Sequence, residues 1–318
     1  MYQEKVIAVD HGNRNIKTLH HVFPSFLLEC GHLPNISGDT LAYKGKEYVL
    51  VDRYLPPEND KTINNRYFLL SLMACGKELA NSTSAFATLT QRDCIDIVLL
   101  CGLPPLHCKE MGGRFADYFK NREDPICFAL NGKPMQVRFK EVNIYPQGFS
   151  AVLTTIERFM DVRSISVIDI GGFTVDILKL TGFIPDMSVC TSLYSGVSKL
   201  FERINERMRA KGLDNIDNSV IEGVLLGDEK VLIDSSQERI ELITTKAASF
   251  TRELMAEIAQ CGLDLAENRT VFIGGGSILL KEYIEKTNMV AKPYFINDVH
   301  ANVRGYRLLY EKRKAGRV

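Results

Sequence analysis

The chain lacks net charge and long apolar runs. Its 39 basic and 39 acidic side chains cancel, so bulk electrostatics favour neither nucleic acid nor a membrane surface as a partner. No run approaches the roughly 18 apolar residues of a membrane span, and the opening MYQEKVIAVD has no apolar signal-peptide core. We therefore expect a cytoplasmic protein that touches neither nucleic acid nor membrane directly.

Several common site motifs are also missing. The eight cysteines are scattered, with no CxxC pair and no Cys/His spacing typical of zinc, so we expect reduced, mostly buried thiols. The absence of GxxxxGK[ST] disfavours a P-loop NTPase. The absence of GxGxxG after the first strand disfavours a dinucleotide-binding fold.

Apolar strands alternate with amphipathic helices along the 318 residues. Strands are predicted in KVIAVDHGN, CIDIVLLCGLPP, SISVIDIGGFTVDILKL and RTVFIGGG. Helices are predicted in NNRYFLLSLMACGKEL, VSKLFERINERMRAKG and ERIELITTKAASFTRELMAEIAQ, and HCKEMGGRFADYFK indicates a helix interrupted by glycines. The pattern predicts an α/β protein with two domains or one large one, and no low-complexity linker separates them.

Two segments share an unusual order of an apolar strand, Asp, any residue, Gly and a second strand. They are VIAVDHGNRNIK, with Asp10 and Lys17, and VIDIGGFTVDI, with Asp169 and Asp176. We interpret them as an approximate internal repeat, one copy opening each half of the chain.

Such a turn suits phosphate binding. Glycine lets backbone N–H groups approach an anion, and a carboxylate at a strand end can hold Mg²⁺ through its waters. The cluster Gly274–Gly276, between a strand and a helix, suits close approach of a base and sugar. Each feature also has an ordinary interpretation: DxG turns are common, Lys17 can be a surface lysine, and GGG can be a tight strand-to-helix connection. Their joint order favours two turns that grip a nucleotide triphosphate.

The order DHGNRNIK, YPQG, DIGGFTVD, IGGGS and NDVHANVRGY resembles the actin superfamily of ATPases over essentially the whole chain. Within it, the sequence is most similar to the bacterial plasmid-segregation proteins of the ParM, StbA and Alp type. The resemblance implies an actin-like, duplicated ribonuclease H-like fold with two lobes around a nucleotide cleft. Lobe I would span 1–150 with a subdomain inserted at about 24–92, lobe II would span 151–300 with one at about 187–265, and 301–318 would return to lobe I.

The same resemblance implies roles for individual residues. Asp10, Gln147 and Asp169 would be catalytic, with Asp10 and Asp169 near Mg²⁺ and Gln147 orienting the attacking water, since phosphoryl transfer depends mainly on positioning. Alternatively, Gln147 only caps the following helix. Arg14 stands where a small hydroxyl residue is usual, which puts one side-chain hydrogen bond to phosphate in doubt. The residues expected to bind the nucleotide are Gly12, Asn13, Arg14, Asn15, Lys17, Gly171, Gly172, Phe173, Thr174, Gly196, Glu222, Gly274, Gly275, Gly276 and Ser277.

The leading hypothesis is an ATPase, using ATP or GTP with Mg²⁺, that polymerises with copies of itself. Head-to-tail contacts that do not close would propagate a filament, and a plasmid-encoded DNA-binding adaptor would connect it to DNA. The alternatives are a small-molecule kinase on the same superfold and a monomeric or cell-shape actin-like ATPase.

Overall fold

The computed structural model describes residues 4–31, 38–51, 58, 60–81 and 94–316. The chain divides into two compact units, residues 1–154 with 300–318 (unit 1) and residues 155–299 (unit 2). Parts of the predicted first insertion, at 32–37, 52–57, 59 and 82–93, lie outside the described residues.

Among the described residues, strands and helices are nearly balanced in unit 1, and helices dominate unit 2. The strands of unit 1 are β1 (Glu4–His11), β2 (Asn15–Lys17), β3 (Val22–Pro24), β4 (Leu27–Cys30), β5 (Thr40–Tyr43), β6 (Lys46–Leu50), β7 (Cys94–Leu103), β8 (Ile126–Leu130) and β9 (Lys133–Pro146). Those of unit 2 are β10 (Ser164–Ile170), β11 (Val175–Thr181), β12 (Ile184–Pro185), β13 (Thr191–Leu193), β14 (Arg269–Ile273) and β15 (Lys292–Phe295). The helices are α1 (Arg66–Asn81), α2 (Pro105–Lys120), α3 (Phe149–Leu153), α4 (Val197–Ala210), α5 (Asn218–Leu226), α6 (Glu229–Asp234), α7 (Gln237–Ala259), α8 (Gly275–Lys286) and α9 (Ala301–Lys314), with a 3₁₀ turn at Ile156–Phe159.

Unit 1 is built on one sheet. Among the described residues its nine strands follow the order β3-β2-β1-β7-β9-β8-β5-β6-β4. The central strand β7 runs parallel to both β1 and β9. Because successive side chains of a strand point to opposite faces, Ile7 and Val9 of β1 join the core under α1 and α2, while Ala8 packs on the face covered by α9.

Unit 2 has a smaller sheet, with the order β12-β11-β10-β14-β15 and β13 paired to β11. Ile168 and Ile170 of β10 are buried with Val175 and Ile177 of β11. Helices α4, α7 and α8 supply apolar side chains to the same core. The prediction of an α/β protein is confirmed.

One local prediction differs from the structure. The segment HCKEMGGRFADYFK lies in one continuous helix, α2, rather than an interrupted one. Phe115 and Phe119 of this helix are buried, and burying each aromatic ring stabilises by about 1.5–3 kcal/mol. A glycine costs only about 1 kcal/mol in a helix, so packing overrides Gly112 and Gly113.

No helix in the described part of the chain is both long and apolar enough to cross a lipid bilayer.

Candidate functional site

The first predicted turn is a tight hairpin between β1 and β2. Asp10 pairs with Lys17 and His11 with Ile16 in antiparallel register. A methyl carbon added at Gly12 would lie 2.5 Å from the carbonyl oxygen of Asn15, the first residue of β2. Only glycine therefore allows the chain to reverse this closely.

Asp10 is a buried carboxylate with two specific partners. Its side chain accepts a 2.5 Å hydrogen bond at Oδ1 from Nε2 of Gln147. The ammonium group of Lys17 lies 3.8 Å from Oδ2. Because Asp10 is only 3% exposed and Gln147 only 9%, these contacts compensate for lost hydration of the carboxylate. The structure thus brings together three of the predicted residues of unit 1.

The backbone around Gln147 is shaped by two glycines. Gln147 donates its N–H to the carbonyl of Leu103 at 2.8 Å, and Gly148 has φ 74° and ψ −62°. A methyl carbon on Gly102 would lie 3.0 Å from Cγ of Gln147 and closer still to the Tyr306 hydroxyl. Gly148 itself is the N-cap of α3, so the amide of Gln147 is bonded to Asp10 rather than serving as that cap.

Lys61 was not predicted, although it reaches the first turn from 50 residues away. It is 8% exposed, and its ammonium group donates to the carbonyl of His11. The buried His11 ring contacts the Ser71 hydroxyl through Nε2 at 2.7 Å. Burial, reinforced by the charge of Lys61, holds the pKa of His11 well below its ordinary value, so the ring is neutral at pH 7. Lysine in the polar segment DKTINN carries no sequence signal for burial.

The other residues of the turn are held by Ser25 and Tyr67. Ser25 donates its hydroxyl to the Asn13 carbonyl and its N–H to the Arg14 carbonyl, the latter at 2.9 Å. The Tyr67 hydroxyl donates to Oδ1 of Asn13 at 2.8 Å, and burial raises the pKa of Tyr67 so that the donor proton stays in place. The side chain of Asn13 is therefore already hydrogen-bonded to Tyr67 within unit 1.

The second turn repeats the register of the first. Asp169 pairs with Asp176 across the β10–β11 hairpin, seven positions apart, as Asp10 and Lys17 are in β1–β2. The N–H of Gly171 donates to the carbonyl of Thr174 at 2.9 Å. The hydroxyl of Thr174 lies 3.3 Å from Oδ2 of Asp176, which ties it to the hairpin.

The start of α4 rests directly on this second turn. The carbonyl of Phe173 accepts from Gly196 N–H at 2.9 Å, and that of Gly172 accepts from Ser198 at 2.8 Å. A methyl carbon at Gly196 would lie 2.4 Å from the oxygen and 2.5 Å from the carbon of the Gly172 carbonyl group. Gly196 is thus required by close backbone approach.

The triple glycine lies at the start of α8, against the same turn. A methyl carbon at Gly274 (φ 87°) would lie 2.3 Å from Oδ1 of Asp169, and one at Gly276 would lie 2.6 Å from Ile170. The Ser277 hydroxyl donates to the Gly274 carbonyl at 2.8 Å. Gly275 differs, because nothing lies within 4 Å of its added carbon. It therefore leaves open space at the start of α8.

Glu222 is the predicted residue of unit 2 that lies on neither the second turn nor the start of α4 or α8. It lies on α5 and is half-buried, and α5 packs against α8. The other predicted residues of unit 2 converge within the second turn, the start of α4 and the start of α8.

The carboxylates fit the coordination chemistry of Mg²⁺. This ion prefers oxygen ligands, keeps several waters and usually takes one or two protein carboxylates beside substrate phosphates. Asp10 and Asp169 supply such oxygens at the two turns. Within the described ranges, no group of three or more His, Cys, Asp or Glu side chains is placed to hold a metal.

Comparison with known proteins places this geometry in a recognised fold. Residues 167–286 match the family described as archaeal actin homologue MreB-like, C-terminal. A search of the curated proteins finds no match to the sequence.

Solved structures match over nearly the full chain. The archaeal actin homologue Ta0583 in complex with ADP has a TM-score of 0.72 and 16% identity, covering 96% of this chain and 99% of that one. A ParM filament structure from Clostridium botulinum has a TM-score of 0.73 and 17% identity, covering 98% and 100%. The actin-like protein Alp7A has a TM-score of 0.73 and 13% identity, covering 99% of each chain. The protein therefore has the actin-like fold. Its predicted resemblance to actin homologues of the ParM and Alp type is confirmed for the fold.

Proposed function

We propose that this protein is an ATPase that assembles with copies of itself into nucleotide-dependent filaments. The observation that carries the proposal is the repeated hairpin. In both units an Asp is the next-to-last residue of a strand, and a glycine turn follows in the same register. Each turn offers backbone donors and one carboxylate, the two requirements for a phosphate tail with Mg²⁺.

In unit 1 the proposed roles follow from contacts around Asp10. Lys17 supplies positive charge toward phosphate oxygens, and its ion pair with Asp10 keeps it at the turn. Gln147, held at Asp10 by its amide, would orient the attacking water. A glutamine has no basic pKa for this step, so its contribution is positioning and electrostatic complementarity.

In unit 2 both backbone N–H groups and side chains have proposed roles in nucleotide binding. Gly172 would present its N–H group to phosphate, and Gly171, whose N–H closes the turn on Thr174, would shape the turn. Asp169 would hold the waters of Mg²⁺. Gly275, with open space at the start of α8, would admit the sugar and base. Gly196, Glu222 and Ser277 would border the same nucleotide.

Support for assembly comes from the fold. The Clostridium botulinum ParM is a 15-stranded filament, and Alp12 has a filament structure. We propose that this chain likewise polymerises with ATP or GTP, and that its filaments segregate plasmid DNA through a DNA-binding adaptor. The net charge of zero supports an adaptor, because proteins that bind DNA directly usually neutralise its phosphates with an excess of basic residues.

Nucleotide binding is tested with Asp10→Ala and Asp169→Ala, using a fluorescent ATP analogue with and without Mg²⁺. Each variant should lose Mg²⁺-dependent affinity, while Asp214→Ala, an exposed acid of unit 2, should bind as wild type does. Unchanged affinity in both site variants would remove the turns from the nucleotide site.

Assembly is tested on the wild-type protein by light scattering and pelleting with ATP, GTP and ADP, followed by electron microscopy. A filament former scatters above a threshold concentration and only with nucleotide. A protein that hydrolyses ATP yet stays in the supernatant at all concentrations would instead favour a small-molecule kinase on the same fold.

A further inference from the structure

Two residues that lie outside the first turn, Lys61 and Ser25, donate hydrogen bonds to carbonyl groups of the turn. Lys61 donates to the His11 carbonyl, and Ser25 donates to the carbonyls of Asn13 and Arg14. Along the chain, Lys61 is 50 residues from His11, and Ser25 is 12 residues from Asn13. They are both buried, at 8% and 3% exposed.

A carbonyl held in this way also sets the direction of an N–H group. In a planar trans peptide the C=O and the next residue's N–H point in opposite directions. When Lys61 binds the His11 carbonyl, the N–H of Gly12 must point away from Lys61. When Ser25 binds the Asn13 carbonyl, the N–H of Arg14 must point away from Ser25.

We propose that Lys61 and Ser25 are positioning residues for nucleotide binding, which orient the backbone N–H donors of the first turn toward the phosphates. The inference rests on the proposed nucleotide binding and adds two residues to that site. A cation on the carbonyl also polarises the peptide, which makes its N–H a stronger donor.

Lys61 is itself held in place. Arg114 of α2 pairs with Asp60 and donates to the Thr62 hydroxyl through Nε at 2.9 Å and Nη2 at 2.8 Å. The N–H of Thr62 donates to Asp60 Oδ1 at 2.9 Å. Both neighbours of Lys61 are thus bound to Arg114, while Lys61 itself reaches inward and lies 5.4 Å from the centre of the Tyr67 ring.

Ser25 is equally constrained. Arg66 donates from Nε to the Ser25 carbonyl at 2.8 Å and from Nη2 to its hydroxyl at 3.2 Å. Because the hydroxyl accepts from Arg66, its own proton is directed to the Asn13 carbonyl. Two arginines therefore support the two donors that contact the turn.

The test compares Lys61→Met, Lys61→Arg and Ser25→Ala with wild type. We expect Lys61→Met to weaken ATP and ADP binding roughly tenfold or more, since hydrogen bonds to charged groups are among the stronger ones. Lys61→Arg, which keeps a charged N–H donor, should recover most of that affinity. Recovery by arginine is a result that a purely structural role for the lysine side chain does not predict.

Lys77→Met is the matched control. Lys77 is also largely buried, pairs with Asp39 and lies 5.7 Å from the Phe23 ring centre. Its loss should lower the melting temperature without nucleotide, as Lys61→Met should, but leave the nucleotide Kd unchanged. Equal loss of affinity in Lys77→Met and Lys61→Met would overturn the proposal.

Ser25→Ala is a second test that does not depend on the folding of Lys61→Met. It should weaken nucleotide binding severalfold, and wild-type affinity in a folded Ser25→Ala would overturn the proposal for the turn. If wild type itself binds no nucleotide, the proposed function fails and this inference fails with it. If wild type binds and the Lys61 variants match it, only this inference fails.

Discussion

Gln147 and Asp10, 137 residues apart in sequence, are joined by a 2.5 Å hydrogen bond between Nε2 and Oδ1. The bond connects the end of β9 to the end of β1, two strands that flank β7 in the sheet. The bond therefore holds the side-chain amide of Gln147, which is predicted to orient water, against the carboxylate of Asp10, which is predicted to lie in the first phosphate loop. Both side chains are buried, so neither moves without leaving a polar group unsatisfied.

Gln147→Ala should slow nucleotide hydrolysis roughly 100-fold, because small losses of positioning have effects of this size. Assembly should persist, and filaments should be longer lived. The measurement is phosphate release in the same samples used for light scattering.

The same substitution removes a partner from the buried Asp10 carboxylate. This should lower the free energy of unfolding by about 1–3 kcal/mol. Gln260→Ala, at an exposed position that ends α7, is the control for both readouts. Hydrolysis at the wild-type rate in Gln147→Ala would show that the amide does not orient water.

Gly196→Ala should destabilise unit 2. The added carbon would lie 2.4 Å from the Gly172 carbonyl oxygen, so α4 or the second turn must shift, and overpacking of this kind costs about 1–3 kcal/mol. Denaturant unfolding measures the loss. Gly113→Ala is the control, because it has nothing within 4 Å in helix α2 and should stabilise by about 0.5–1 kcal/mol. Equal stability of the two variants would contradict the backbone contact.

Gly275→Ala should weaken nucleotide binding without lowering the stability of the fold. Its added carbon meets nothing within 4 Å, so the free energy of unfolding should not fall. Nucleotide affinity should fall about tenfold or more if the base and sugar occupy that space, since a methyl group would then compete with the ligand. The measurement is Kd for ATP beside unfolding of the nucleotide-free protein, and an unchanged Kd would place the nucleotide elsewhere.

Sequence patterns predicted the parts of the site that depend on neighbouring residues. The strands β1 and β10 follow from apolar runs, and both hairpins follow from Asp and Gly at their ends, because chain reversal is a local property. A helix after the cluster Gly274–Gly276 was predicted for the same reason, and α8 in fact begins inside that cluster, at Gly275. The glycines of α2 were misleading, since burial of Phe115 and Phe119 decides that helix.

The residue patterns could not predict contacts between residues that are distant in sequence. Nothing in DKTINN indicates that Lys61 is buried against the His11 carbonyl, because that contact depends on how α1 and α2 pack on the sheet. The role of Gln147 came from family resemblance, whereas its bond to Asp10 required the structure. The contact of Gly196 with Gly172 likewise depends on the placement of α4.

Glu78 of α1 predicts a specific pH dependence of stability. It accepts hydrogen bonds from the Thr18 hydroxyl at 2.5 Å and from His20 through N–H at 3.0 Å and Nδ1 at 2.7 Å. Burial alone would raise the pKa of Glu78, but these hydrogen bonds to the carboxylate outweigh it and hold the pKa below 4.5. A lowered pKa in the folded state means that the unfolded chain takes up the proton first.

The stabilisation from Glu78 is therefore complete above about pH 4.5 and is lost as the pH falls through the lowered pKa. Glu78→Gln should reduce the free energy of unfolding at pH 7 by about 1.5–3 kcal/mol, and its difference from wild type should shrink as the pH falls below 4.5. Denaturant unfolding in steps across this range measures the difference, with Glu285→Gln, at an exposed position of α8, as control. A difference that stays constant down to the lowest pH would show that the carboxylate charge is not what ties α1 to the segment after β2.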